Sequence, residues 1–183
     1  MIPSLETERL ILRAWRAEDF ETLAGFYADE ETMKYLGGTM ERPEAWRALA
    51  STIGHWTMRG YGTWGVERRV DGALVGRVGL IHPENWPQVE CGWTVGRPYW
   101  GQGYASEAAE AALRYAFMTL PVERMISLID PDNIASQGVA RRVGETRGER
   151  WSIRTGGKDY PVDIWAITRG EWLQRMAKAG AKG

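Results

Sequence analysis

Gly101 and Gly103 stand in a loop, Gly96–Tyr104, directly ahead of an alanine-rich run. If that run is a helix, its first backbone N–H groups have no partner within it, and the helix dipole adds partial positive charge there. Glycine lets a ligand approach the backbone and permits positive φ. These features make a cradle for an anion, with a pyrophosphate as the natural occupant. A tight strand-to-helix turn would use the same two glycines, so their spacing alone does not separate the two. The dinucleotide fingerprint would need a third glycine at position 106, which is Ser106, and the P-loop Gly-Lys-Ser/Thr is absent. Upstream, the β-like run Val89–Val95 alternates so that Glu90, Gly92 and Thr94 share one face. Glu90 there is either a general base for chemistry that removes a proton or a salt-bridged or solvated strand glutamate.

The remaining reactive side chains offer less. Cys91 sits mid-strand and reads as a buried small hydrophobe. A single cysteine forms no internal disulfide, and two histidines, His55 and His82, give no metal-ligand cluster, so no metal is expected. His82 precedes Pro83 in a loop and reads as structural or solvent-exposed. A net charge of −1 argues against sequence-independent nucleic-acid binding. No apolar run reaches the ~18 residues of a membrane helix, and the opening Met1–Glu6 lacks a signal peptide's basic start and apolar stretch. The expectation is a cytoplasmic protein, with no nucleic-acid or membrane partner.

The elements that must position these residues follow from the pattern of the chain. Glu8–Ala14 reads as a first strand, and Glu18 or Asp19 starts a helix running to Ala28. A short helix, Glu30–Tyr35, is closed by Gly37-Gly38. Pro43 fits the first turn of a further helix, which carries Trp46, Leu49, Ile53 and Trp56 on one apolar face and ends near Arg59-Gly60. The tryptophans of that helix read as core, or else as the border of a cleft. Asp71-Gly72 between Tyr61–Val70 and Ala73–Leu80 signals a hairpin. Val89–Val95 follows after the loop 82–87. Ala105, Ala108, Ala109, Ala112, Leu113, Ala116 and Phe117 then line one helix face, small enough to lie close against a sheet. Glu110 and Arg114 stand as an i,i+4 pair on its outer side.

Arg124–Ile129 is the next strand, and the strand–helix–strand succession predicts a right-handed crossover to a parallel neighbour. Asn133 stands as the N-cap of a helix Ile134–Val143, with Gly144 beyond its end. Two strands, Glu149–Arg154 and Asp159–Thr168, are joined through residues 155–158, and Glu171–Lys178 forms a last helix. The sum is one α+β domain, residues 1–178, with a mixed sheet and a frayed tail at 179–183.

Two motifs in this arrangement resemble a known family. Trp100-Gly101-Gln102-Gly103-Tyr104-Ala105 resembles the (Arg/Gln)-x-x-Gly-x-(Gly/Ala) signature of the GNAT N-acetyltransferases. The longer run from Gly92-Trp93-Thr94-Val95 to Ser106-Glu107-Ala108, and the opening Thr7–Arg13, are similar to the RimJ/RimL branch. Asp130–Ser136 followed by Val139–Gly144 resembles the family's second cofactor motif. Trp100 departs from the first pattern, and Glu145 stands where an aromatic residue is usual. The resemblance covers nearly the whole chain.

It implies a GNAT-like fold, with a mixed, mostly antiparallel sheet splayed around acetyl-CoA, the co-substrate. The backbone of Trp100, Gly101, Gln102, Gly103, Tyr104, Ala105 and Ser106 would hold the pyrophosphate. The Trp93-Thr94-Val95 edge would pair with the pantetheine arm as an added strand, and the Val95 N–H would serve the thioester oxygen. Asn133 and Ser136 would approach the cofactor and Arg142 would reach a phosphate. Ser136 would return a proton to the departing thiolate, and Glu90 would act as base. The plain alternatives are a helix cap for Asn133 and a surface residue for Ser136. The implied reaction is acetyl transfer to a primary amine, on a small molecule or a protein N-terminus; a homodimer is compatible with the sequence. A coenzyme-A-binding module without useful catalysis, or a nucleotide-binding protein using the same loop, are the competing expectations.

Overall fold

An eight-stranded sheet carries every other element of the chain. The computed structural model describes residues 2–155 and 158–181. β1 (Leu5–Glu6) and β2 (Leu10–Arg13) form a hairpin and lead to three helices, α1 (Asp19–Ala28), α2 (Glu30–Met33) and α3 (Arg42–Arg59). β3 (Thr63–Arg68), β4 (Leu74–Ile81) and β5 (Glu90–Val95) make a meander. α4 (Tyr104–Thr119) crosses over to β6 (Arg124–Ile129), and α5 (Ile134–Val143) leads to β7 (Thr146–Thr155), β8 (Lys158–Thr168) and α6 (Arg169–Gly180). The strand order is β1-β2-β3-β4-β5-β6-β8-β7. Every neighbouring pair is antiparallel except β5 and β6. The expected α+β class and mixed, mostly antiparallel sheet are therefore what the chain adopts.

The core lies between one face of the sheet and α4. Ala108, Ala109, Ala112 and Ala116 are wholly buried there, against Leu80 and Cys91 of the sheet. Their small side chains let the helix axis come close, and this fixes where the N-terminus of α4 points. Leu10, Leu12, Trp64, Val66 and Val78 complete the layer, each large side chain worth about 1.5–3 kcal/mol for its burial. On the other face α1, α2 and α3 share a smaller core of Leu23, Tyr27, Met33, Ala45 and Leu49.

Several local expectations change. The expected first strand, Glu8–Ala14, is found as the shorter Leu10–Arg13, and a two-residue strand not foreseen, Leu5–Glu6, pairs with it ahead of the turn at Thr7–Arg9. Neither Glu18 nor Asp19 caps α1 with its side chain; Asp19 instead takes both nitrogens of Arg13, each at 2.8 Å, in a buried pair. α2 ends at Met33, short of Tyr35. α1, α2 and the sheet together cover only the side of α3 that bears Ala45, Leu49 and Trp56, so Trp46 and Ile53, on the flank of that stripe, stay 60% and 44% exposed. Glu110 pairs with Arg175 of α6 at 2.7 Å rather than with Arg114, because α6 packs across α4. β7 starts at Thr146, and α6 reaches Gly180, into the segment expected to fray. Gly156 and Gly157 of the expected turn, and the last two residues of the tail, lie outside the described residues.

Candidate active site

The site begins where the sheet comes apart. β5 and β6 share a single ladder pair, Glu90 with Ile126, closed by Ile126 N–H donating to Val89 O at 3.2 Å. Beyond it no ladder joins the two strands. On its other side β5 is fully paired with β4, from Ile81–Glu90 to Gly76–Val95. The Gly96 N–H donates to Val75 O at 3.0 Å. In an antiparallel ladder bonded and non-bonded pairs alternate, so Thr94 and Gly92 direct their backbone groups to β4. Cys91, Trp93 and Val95 direct theirs to the open side. Thr94, expected on the free edge with its neighbours, therefore contributes a side chain on the opposite sheet face and no edge backbone.

Two of those open-side carbonyls are occupied. Cys91 O accepts from Ser127 Oγ at 2.8 Å, and Val95 O accepts from the Trp100 indole N–H at 2.6 Å. Trp100 thus acts through its ring, on β5, rather than through its backbone alone. What remains on the edge is the Trp93 peptide and the Val95 N–H, facing a gap that widens away from Glu90. An extended, amide-bearing chain could be received there as a strand.

The cradle sits beyond the far end of that gap. Gly101 and Gly103 have φ of +75° and +80°, a conformation that costs other residues roughly 1–2 kcal/mol. No atom lies within 4 Å of where a Gly101 side chain would begin, so the backbone is open to a ligand. Arg9, on the β1–β2 hairpin, donates to Gln102 O at 2.9 Å and pairs with Glu107 at 2.6 Å. Because a peptide's C=O and N–H point in opposite directions, this contact turns the Gly103 N–H away from Arg9. Ser106 Oγ, in the first turn of α4, is buried and has no hydrogen-bond partner among the described residues. An orphaned hydroxyl among unpaired helix N–H groups is the donor set that a pyrophosphate oxygen needs.

Asn133 Oδ1 accepts from the Ser136 N–H at 3.0 Å, so the helix cap is present as expected. Ser136 Oγ accepts from the Trp93 indole N–H at 3.2 Å, which spans the gap from β5 to α5 and leaves the hydroxyl proton free to be donated. Glu90, Thr94, Trp93, Asn133 and Ser136 line one cavity of about 90 Å³, together with Tyr35, Arg77 and Ser127. Arg142 is not among its lining. It stands exposed in the last turn of α5, at the other end of that helix from Ser136.

Glu90 is neither solvated nor salt-bridged. It is 8% exposed, and its carboxylate accepts from the Trp86 indole N–H and, at 3.4 Å, from the Leu128 N–H. Burial raises its pKa above the ordinary glutamate value, opposed by these two donors and by the charge of Arg77. A base whose pKa moves toward neutrality suits proton removal near pH 7. Asp163 is buried between Arg147 and Arg150 on the far strands and lines no cavity with Glu90. His82 and His55 are structural: the His82 N–H donates to His55 Nε2 at 2.9 Å, and His55 Nδ1 meets Tyr61 O at 2.7 Å.

Glu145, the departure from the aromatic pattern, is 3% exposed and lies behind the split in the sheet. Its Oε1 is 2.9 Å from Ser127 Oγ, which is also 2.8 Å from Cys91 O. A serine hydroxyl has one proton and Cys91 O can only accept. Both contacts are hydrogen bonds only when Glu145 carries a proton and donates it to Ser127. Burial pushes its carboxyl up to about 8, with the nearby charge of Glu90 adding to the rise. The Glu145–Ser127–Cys91 chain thus replaces the ladder bond that β6 stops supplying at the branch point.

A family model described as an acetyltransferase (GNAT) domain matches residues 9–146. The chain belongs to the GNAT acetyltransferase family. Among its relatives is the Bacillus subtilis protein YkkB, 34% identical over 76% of this chain and 83% of that protein. Another is the uncharacterized N-acetyltransferase YoaA of the same organism, 28% identical over 92% and 98%. An acetyltransferase structure from Agrobacterium tumefaciens superposes with a TM-score of 0.80 at 30% identity, covering 91% of this chain and 95% of that one. The GNAT fold and an acetyl-CoA-dependent acetyltransferase activity follow for this chain. Within that family frame the split sheet, the glycine cradle and the orphaned Ser106 hydroxyl fit a coenzyme A.

Arg9, Trp86, Arg77, Ser127 and Glu145 escaped the sequence. All but Trp86 act across more than about ten residues, and their partners form no local pattern. The one visible signal was the polar Glu145 in an aromatic position.

Proposed function

We propose that this GNAT enzyme acetylates a primary amine by direct attack in a ternary complex, with Glu90 as base. The observation that carries this is the sharing of one cavity by Glu90, on β5, and Ser136, on α5, with Trp93 of the open edge between them. When bound, acetyl-CoA supplies the electrophilic carbonyl and the thiolate leaving group. The open edge at Trp93 and Val95 orients the pantetheine arm, and the Val95 N–H stabilises negative charge on the thioester oxygen. The cradle from Gly101 to Ser106 holds the pyrophosphate. Glu90 takes the proton of the incoming ammonium, whose pKa is ~8 for an α-amino group and ~10.4 for a lysine. Ser136, its lone pair held by Trp93, keeps its own proton ready for the thiolate.

The likeness of the Gly92–Ala108 run to the RimJ/RimL branch supports an acceptor that presents an α-amino group, on a small molecule or at a protein N-terminus. Initial rates with both substrates varied test the order of events. Intersecting lines are expected. Parallel lines, or an enzyme that gains an acetyl group when mixed with acetyl-CoA alone, would contradict direct transfer.

A further inference from the structure

Two side chains in the cavity, Arg77 and Thr63, hold buried polar atoms with no hydrogen-bond partner among the described residues. The sheet register sets Thr63 opposite Gly79, Gly79 opposite Gly92, Arg77 opposite Thr94 and Ile81 opposite Glu90. Side chains opposite one another share a face, and so do alternate residues of a strand. Thr63, Arg77, Thr94 and Glu90 therefore stand on one face of the sheet, and Gly79 and Gly92 leave the floor between them bare. Along β5 the position opposite Arg77 is four residues from Glu90, roughly 13 Å of extended chain, which both side chains shorten from their ends.

Arg77 lines this cavity half-buried, yet its guanidinium makes no ion pair among the described residues. Its buried Nε has no hydrogen-bond partner, and its one aromatic neighbour is the Tyr27 ring, 5.8 Å from its central carbon. Thr63 is 3% exposed, lines the same cavity, and its hydroxyl is also without a partner among the described residues. A buried guanidinium N–H and a buried hydroxyl are costly to leave unpaired. One ligand group would satisfy both: a carboxylate, which accepts from several donors at once. The cavity's 90 Å³ is about three water volumes, enough for a carboxylate and the few atoms that connect it to a nitrogen.

We propose that the acceptor is a primary amine bearing a carboxylate a few bonds from the reacting nitrogen, held by Arg77 and Thr63 across the Gly79–Gly92 floor from Glu90. This rests on the acetyl-transfer function proposed for the same site. The carboxylate fixes the acceptor's far end, so that its nitrogen lies toward Glu90. Such a group is found on a free amino acid, and on the side chain of an acidic first residue of a peptide.

The test is coenzyme A release at saturating acetyl-CoA with matched acceptors: amino acids, their amides, and their decarboxylated amines, beside peptides opening with Asp or with Asn. The carboxylate-bearing member of each productive pair should be preferred roughly 10- to 100-fold in kcat/KM, the range of a lost charged hydrogen bond. Selectivity among the amino acids, or among the peptides, tells which source supplies the group. Arg77→Met should erase the preference between matched partners through KM while coenzyme A binding stays unchanged, and Arg77→Lys should partly restore it. Thr63→Val, an isosteric change, should weaken the same preference. Equal use of charged and neutral partners would overturn the proposal, as would an Arg77→Met loss that falls on both alike. Turnover with no amine at all would remove acetyl transfer itself and this proposal with it.

Discussion

Replacing Glu145 by glutamine should make the protein more stable in alkaline buffer while changing little in acid. The carboxyl is buried, and its value rises from about 4.5 to about 8. The folded state therefore favours the protonated acid. The stability this allows is complete below about 4.5, falls as pH rises, and is fully lost above about 8. At about 1.4 kcal/mol per pH unit, the loss across that interval is at most about 5 kcal/mol. Glutamine has nearly the same shape, has no charge to gain, and its amide N–H can donate to Ser127 Oγ as the acid does. Denaturant unfolding of both proteins at pH 5 and pH 9 measures the difference. The variant should gain several kcal/mol on the wild type between the two pH values, while the wild type loses stability. Parallel pH dependence in the two proteins would refute the buried neutral acid and, with it, the proton chain to Cys91.

Ser106→Ala should weaken coenzyme A binding by roughly 10- to 100-fold, as one lost hydrogen bond to a charged group does, without lowering Tm, because the hydroxyl has no partner in the free protein. Calorimetric titration and thermal melts together separate this from a folding defect; unchanged affinity would remove Ser106 from the cradle. Glu90→Gln should lower kcat and flatten the acid limb of its pH profile, whose midpoint in the wild type should lie above an ordinary glutamate's because burial raises Glu90. A variant that keeps the wild-type limb would clear Glu90 of the role of base.

Much of the scaffold was legible because its signals are local. The Asp71-Gly72 turn, the alanine face of α4, and Asn133 and Gly144 at the ends of α5 each need only their own neighbourhood to be read. The glycine turn ahead of α4 was visible for the same reason. The site's polar details depend on contacts between distant segments. Arg9 reaches Gln102 and Glu107 because the hairpin folds over the start of α4. Ser127 meets Glu145 and Cys91 because the sheet splits there. Alternation placed Glu90 and Thr94 on one face, but only the register with β4 shows that the backbone of Thr94 is spent on that strand. Apolar periodicity likewise put Trp46 on the apolar stripe of α3, as core or as the border of a cleft, but only the packing of α1 and α2 shows that it falls outside the covered side.

The central claim is that the cavity joining Glu90 to Ser136 transfers acetyl from acetyl-CoA to an amine. Coenzyme A release with a broad panel of amines, each product checked by mass, tests it most directly. The expected result is coenzyme A and an amine heavier by one acetyl group, formed in equal amounts. Tight coenzyme A binding with no acetylated amine from any member of the panel would contradict it.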